Sequence, residues 1–115
     1  MKKSIRKFRH KAFIRQNRRC FYCNHPIWLQ NSQQFAESFG ISLKAATLLQ
    51  CTAEHLRALS AGGNNCSSNI VAACRFCNQT RHKAKKVKSP SEYAFHVQRR
   101  VQANRWFPWR VSAAS

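Results

Sequence analysis

Acidic side chains are almost missing from this chain. Glu37, Glu54 and Glu92 are the whole set, against 21 Lys and Arg, so the formal charge is +18. A compact chain so charged repels itself, which points to an anionic partner, nucleic acid first and an anionic membrane surface second. Solubility alone does not require a charge this one-sided. Long apolar runs are missing too: no stretch approaches the ~20 residues that a spanning helix needs. The basic opening Met1-Lys2-Lys3-Ser4-Ile5-Arg6-Lys7 runs into no apolar segment, so it does not read as a signal peptide. The expectation is a cytoplasmic protein with its thiols kept reduced. Glycine and proline number three each, and there is no internal repeat and no low-complexity tract.

Cysteine, by contrast, is plentiful. The chain has 115 residues, which fits one domain, and six of them are cysteines. A chain this short buries only about two thirds of the surface its unfolded form exposes, so a metal or disulfide staple would be useful. Cys20-Phe21-Tyr22-Cys23 and Cys74-Arg75-Phe76-Cys77 are CxxC turns. Two thiolates at that spacing reach one tetrahedral ion, and two such turns close a four-cysteine zinc site. Disulfides or buried free thiols are the other readings, and the reducing setting disfavours the first. Cys51 and Cys66 have no CxxC partner and read as small buried hydrophobes.

The spacing predicts a helix over 4–16, with Ile5, Phe8, Ala12 and Phe13 inward. Residues 31–49 carry two short helical patterns. Phe35 and Phe39 belong to the first, which Gly40 stops; Ser42 caps the second, with Leu43, Ala46 and Leu49 on one face. This segment accounts for the long gap between the CxxC pairs, since an insertion between two anchored turns adds little loop entropy. Short strands are predicted over 50–55 and 70–73, joined by a loop marked by Gly62-Gly63-Asn64-Asn65. A basic helix is predicted from about Asn78. Ser89-Pro90-Ser91-Glu92 has the form of a capping box, followed by Tyr93, Val97 and Val101 on one face. The tail Arg105-Trp106-Phe107-Pro108-Trp109-Arg110 is aromatic and basic.

Glu54-His55 ends the first strand, Asn69 opens the second, and Asn78 and His82 share a helical face. A strand pair followed by a helix would bring Glu54, Asn78 and His82 towards one point. A carboxylate, an amide oxygen and an imidazole make an open site for a divalent cation. Glu92 has a capping explanation and Glu37 sits in an ordinary helical pattern; Glu54 is the acid placed beside a histidine on a strand end. A surface salt bridge beside a core histidine is the plain reading of Glu54-His55 alone.

Thr52-Ala53-Glu54-His55-Leu56, Gly62-Gly63-Asn64-Asn65 and the run from Asn69 to Asn78 together resemble the HNH endonucleases of ββα-metal fold. The resemblance runs from Cys20 to about Lys83. It implies an α+β chain with a small ββα-metal, treble-clef-like core, a four-cysteine zinc staple and flanking helices. It makes His55 the general base, Asn69 the residue that orients it, and Asn78 a metal ligand where the family more often has His. Glu54 stands where Asp is commoner, and His82 matches an additional metal-binding His. The implied reaction is hydrolysis of DNA with one divalent ion, Mg²⁺ or Mn²⁺, leaving 5′-phosphate and 3′-hydroxyl ends. The structural Zn²⁺ would take no part.

The expected layout is a basic helix over 1–19, a nuclease core over 20–88 with a helical insertion at about 31–49, and a helix and tail over 89–115. Arg75, Arg81, Lys83, Lys85 and Lys86 are placed to meet the phosphates of DNA, expected to be double-stranded; such contacts position without reading sequence. The N-terminal helix and Arg99-Arg100 add to the field. Trp106 and Trp109 suit packing or base stacking. His10, His25 and His96 read as surface or packing residues. No membrane or protein partner is expected. A non-catalytic zinc-stabilised nucleic-acid binder is the alternative, and an open second metal site separates the two. A disulfide-stapled membrane-active protein is the third reading.

Overall fold

The structure is a computed structural model and describes residues 1–109, so Arg110 at the end of the tail lies outside the described residues. Its elements are α1 (Lys3–Arg15), α2 (Ser32–Phe39), α3 (Leu43–Leu48), β1 (Cys51–His55), β2 (Ile70–Cys74), α4 (Arg75–Lys83) and α5 (Pro90–Gln102). The strands form a two-stranded antiparallel sheet in the register Cys51↔Cys74, Glu54↔Val71 and His55↔Ile70. The protein is therefore α+β, as its sequence implies.

β2 is buried along its whole length, which its unbroken small and apolar run Ile70-Val71-Ala72-Ala73-Cys74 allows. Helix α1 lies against both strands, with Ala12 and Phe13 inward. Gln16 ties the end of α1 to the sheet with a reciprocal pair of bonds: its Nε2 donates to Ala72 O and its Oε1 accepts from Ala72 N. The first CxxC turn then docks on β2, where Phe21 N donates to Ala72 O. Cys51 N donates to Trp28 O, so the chain after that turn covers the free side of β1.

Local signals set most helix ends. Gly40 takes the left-handed conformation (φ 64°) that stops α2. Ser42 caps α3 through Ala45 N, and Ser89 caps α5 through Glu92 N with Pro90 in the first turn. On α3 the inward residues are Ala45, Ala46 and Leu49, while Leu43 is exposed. α4 begins at Arg75 rather than near Asn78, because the Cys74 sulfur accepts Cys77 N and acts as its N-cap. The second CxxC is therefore the first turn of the helix, and Asn78 sits in the next one.

Candidate functional site

The cysteine cluster comes from three segments: the turn after α1, the end of β2 and the start of α4. The sulfurs of Cys20, Cys23, Cys74 and Cys77 all lie within 4.8 Å of one another and all four residues are buried. Backbone N–H groups already point at these sulfurs. Tyr22 N and Cys74 N donate to Cys20 Sγ at 3.4 and 3.3 Å, and Cys77 N to Cys74 Sγ at 3.3 Å. The Trp106 indole N–H donates to Cys77 Sγ at 3.4 Å. Donors converging on sulfur suit thiolate ligands, so the donor set fits a metal ion such as zinc. Burial opposes ionisation of Cys20, but hydrogen bonds from Cys23, Cys74 and Cys77 outweigh it and hold its thiol well below the ordinary range. Cys74 and Cys77 are pushed up, Cys74 first by its bond to Cys20 and Cys77 first by burial.

The other two cysteines part company. Cys51 is buried and its thiol is pushed up to about 12 by burial, so it is the inert apolar filler expected. Cys66 is exposed, contrary to expectation, because the segment 64–69 runs over the surface and presents only Asn65 and Asn69 inward. Trp106 is buried at the cysteine cluster and Trp109 packs against Phe76, so both lie in the packing role.

A second group of polar side chains meets at an open cleft of about 260 Å³ between the end of β1 and α4. Glu54, His55, Asn78 and His82 all line it. Glu54 is 1 % exposed, and its carboxylate is fully engaged. Oε1 lies 2.8 Å from His82 Nε2, while Oε2 accepts from the Tyr22 hydroxyl at 3.0 Å and from Arg81 at 3.1 Å. Burial, followed by the neighbouring Glu54 carboxylate, pushes the Tyr22 phenol above its ordinary range, so Tyr22 remains a donor. Asn78 Nδ2 donates to Thr52 Oγ1 at 3.0 Å, which leaves its Oδ1 to act as a ligand. A divalent ion would find donors in Glu54, Asn78 and His82. Glu54 Oε1 and His82 Nε2 are close enough to be neighbours in one coordination sphere.

His55 Nε2 bonds Asn65 Oδ1 at 2.8 Å. Asn69 does not line the cleft, and its side-chain hydrogen bonds go to the loop rather than to the His55 ring. Its Oδ1 accepts from Arg57 N, and its Nδ2 donates to Arg57 O and Asn64 O. Asn69 therefore clamps both arms of the loop, and the side chain that holds His55 is Asn65, next to one of those clamped carbonyls. Gly63 lets the loop close: a Cβ there would stand 1.9 Å from Arg57 O. Asn65 was visible in the sequence only as turn punctuation.

Arg81 is not where its run of cations suggests. Expected at the phosphate-facing surface, it is only 4 % exposed. Its guanidinium reaches Glu54, and also donates to His55 O, Leu56 O and Lys88 O. Nothing is left over for a phosphate, so Arg81 is a brace between β1, the loop and the segment after α4. Lys83, Lys85 and Lys86 are exposed and Arg75 is half-buried, so these remain open to solvent. Removing one partner of a buried ion pair strands the other charge, at about 3–5 kcal/mol. Arg81→Ala should therefore lower unfolding stability by about that much, read from denaturant titration. Lys83→Ala should change it by less than about 0.5 kcal/mol. Equal, small effects would show that the Arg81 brace carries no weight.

A small two-stranded sheet runs directly into a helix, with a four-cysteine cluster at one end of the sheet and a histidine-lined cleft at the other. Residues 39–84 match the family model for HNH endonuclease. The matched segment holds β1, β2 and α4, with every residue of the cleft and the second CxxC, whereas Cys20, Cys23, Tyr22, α1 and α5 lie outside it. No curated protein and no solved structure matched the chain. The match supports a nuclease-like function with nucleic acid as substrate. No described helix is long and apolar enough to cross a membrane.

Proposed function

We propose that this protein is an endonuclease that hydrolyses DNA phosphodiester bonds with one divalent ion and His55 as general base. The observation that carries the reading is the His55 ring, held by Asn65 in a cleft it shares with Glu54, Asn78 and His82. Asn65 Oδ1 accepts a hydrogen bond, so Nε2 carries the ring proton and Nδ1 is left as the base. Nδ1 takes the proton of the attacking water as it approaches phosphorus. Glu54, Asn78 and His82 would hold the divalent ion, Mg²⁺ or Mn²⁺. When bound, it supplies charge stabilisation at the phosphate and the leaving 3′ oxygen. Arg81 fixes the main chain at His55 and Leu56, so base and ligands keep their spacing. Asn69 acts at one remove, holding the loop that carries Asn65.

Zinc is the proposed occupant of the cysteine cluster, closed by four protein ligands and so structural. The catalytic core spans 20–88, with the flanks 1–19 and 89–115 adding cationic surface. Arg75, Lys83, Lys85 and Lys86 contact phosphates of double-stranded DNA. Plasmid cleavage tests the reading: nicking or linearisation should need Mg²⁺ or Mn²⁺ and stop in EDTA. Wild-type protein that binds DNA yet never cuts it with either metal would favour a second reading, a non-catalytic binder. One observation leans that way. Glu54 is already neutralised by Arg81, which lowers the attraction of its carboxylate for a cation. Binding itself should weaken steeply with salt, each neutralised phosphate contributing about −0.9 to the log–log slope.

A further inference from the structure

The matched segment ends before α5, yet α5 carries an unusual outer face. Its inner face is spent on the cysteine cluster: Tyr93 and Val97 are buried, the Tyr93 hydroxyl donates to Cys77 O, and Gln98 donates to Tyr22 O. The outer face borders a groove of about 570 Å³ whose lining includes Lys88, Phe95, His96, Arg99, Arg100 and Arg105. Glu92 is the acid in that lining, and it is engaged by Ser89. Among the described residues, none of these Lys or Arg side chains pairs with a carboxylate. Phe95 stands 67 % exposed among them, with the Arg99 guanidinium carbon 5.8 Å from its ring centroid.

We propose that this groove is a second nucleic-acid site, which takes an unpaired DNA segment flanking the scissile phosphate and stacks one of its bases on Phe95. The proposal rests on the nuclease reading above. An isolated solvated cation needs no explanation, but a row of cations without acidic partners beside an exposed aromatic ring is the combination that grips single strands. The cations track the phosphates, and every base offers a π-face to the ring. A base inside a duplex stack cannot reach Phe95, so the ring selects for a splayed or tailed strand. Partial burial, then Lys88, Arg100 and Arg99, hold His96 below its usual range, so the groove already resists more positive charge and is relieved by an anion. Arg81 ties the groove to the cleft through the protein. Lys88, on the groove's lining, accepts Arg81 at its carbonyl, and the same guanidinium holds Glu54 and His55 O.

The test is DNA binding by the full chain in EDTA, comparing a blunt duplex with the same duplex bearing a single-stranded tail. Wild type should bind the tailed DNA about 10-fold more tightly, and Phe95→Leu should abolish that preference while retaining fold and metal content. The double variant R99Q/R100Q should flatten the salt slope on tailed DNA by about 1.4, from about 0.7 per single-strand phosphate. K7Q/K11Q, which removes the same charge from exposed positions on α1, should leave the tail preference intact. Equal binding of blunt and tailed DNA by wild type overturns the groove and leaves the nuclease reading standing. So does a tail preference that survives Phe95→Leu, or one that R99Q/R100Q and K7Q/K11Q reduce alike. A wild type that binds neither DNA overturns both.

Discussion

Cys74→Ser should unfold this protein, while Cys51→Ser should leave it folded. Cys74 does three things at once. Its sulfur lies in the four-cysteine cluster, its carbon chain is fully buried at the end of β2, and its Sγ caps α4 through Cys77 N. If the cluster holds zinc, metal binding and folding are one equilibrium, with apparent binding energy on the order of 10 kcal/mol. That exceeds the typical stability of a whole domain, about 5–15 kcal/mol, at its lower end. Cys51 is equally buried but outside the cluster, so its replacement costs only a polar group in an apolar site, about 1–3 kcal/mol. Circular dichroism and metal analysis on protein purified under reducing conditions read both variants. One zinc per chain is expected in wild type. Because the ligands must lose their protons, zinc should be released as pH falls, and unfolding should accompany release. Wild type without metal, folded and stable to chelator, would sink the staple.

The cysteine cluster was legible because its ligands come in locally fixed pairs. A CxxC needs only a turn to aim both sulfurs one way, so no knowledge of the intervening segment 31–49 was needed. Helix ends were legible for the same reason: Gly40, Ser42 and Ser89-Pro90 act within a few residues of themselves. The start of α4 was misplaced because the capping group there is a sulfur. Cysteine is not among the usual N-cap residues, and it serves here because Cys77 N–H lies within reach of Cys74 Sγ in the CxxC turn.

The cleft was legible in its outline and not in its wiring. Glu54, His55, Asn78 and His82 were singled out from strand and helix periodicity, and the fold brings them together. Asn65 escaped because its bond to His55 depends on how the loop 56–69 closes, which Gly63 and Asn69 decide by non-local contacts. Tyr22 escaped because the interior of a CxxC reads as turn filler, yet its hydroxyl reaches Glu54 on β1. Arg81 is the instructive miss. It stands in a run of cations, which suggested a phosphate surface. Yet Arg81 and His82 lie three and four positions after Asn78, so helical spacing alone places Arg81 beside the face of Asn78 that also carries His82. A charge on the face that meets Glu54 is far more suited to pairing with it than to solvent.

His55→Ala should slow DNA cleavage by roughly 10²- to 10⁴-fold, the usual range for loss of a general base. Fold, metal content and DNA affinity should stay nearly unchanged. The ring is only half-buried, it lies outside the cysteine cluster, and its one side-chain partner is Asn65. Asn65→Ala should cost less, because the base remains but loses the bond that fixes its ring proton at Nε2. Its signature is a changed pH–rate profile rather than lost binding. Asn78→Ala and His82→Ala should behave differently again. They remove donor atoms for the divalent ion, so raising Mg²⁺ or Mn²⁺ should recover part of the rate, which no metal concentration can do for His55→Ala. Glu54→Gln separates the two jobs of that carboxylate. Rescue by metal would mark it as a ligand, whereas lost stability without rescue would mark it as the partner of Arg81 alone. The comparison turns on His55 itself. If His55→Ala cuts plasmid as fast as wild type, with contaminating nuclease excluded, the proton is taken elsewhere and the cleft does not work as proposed.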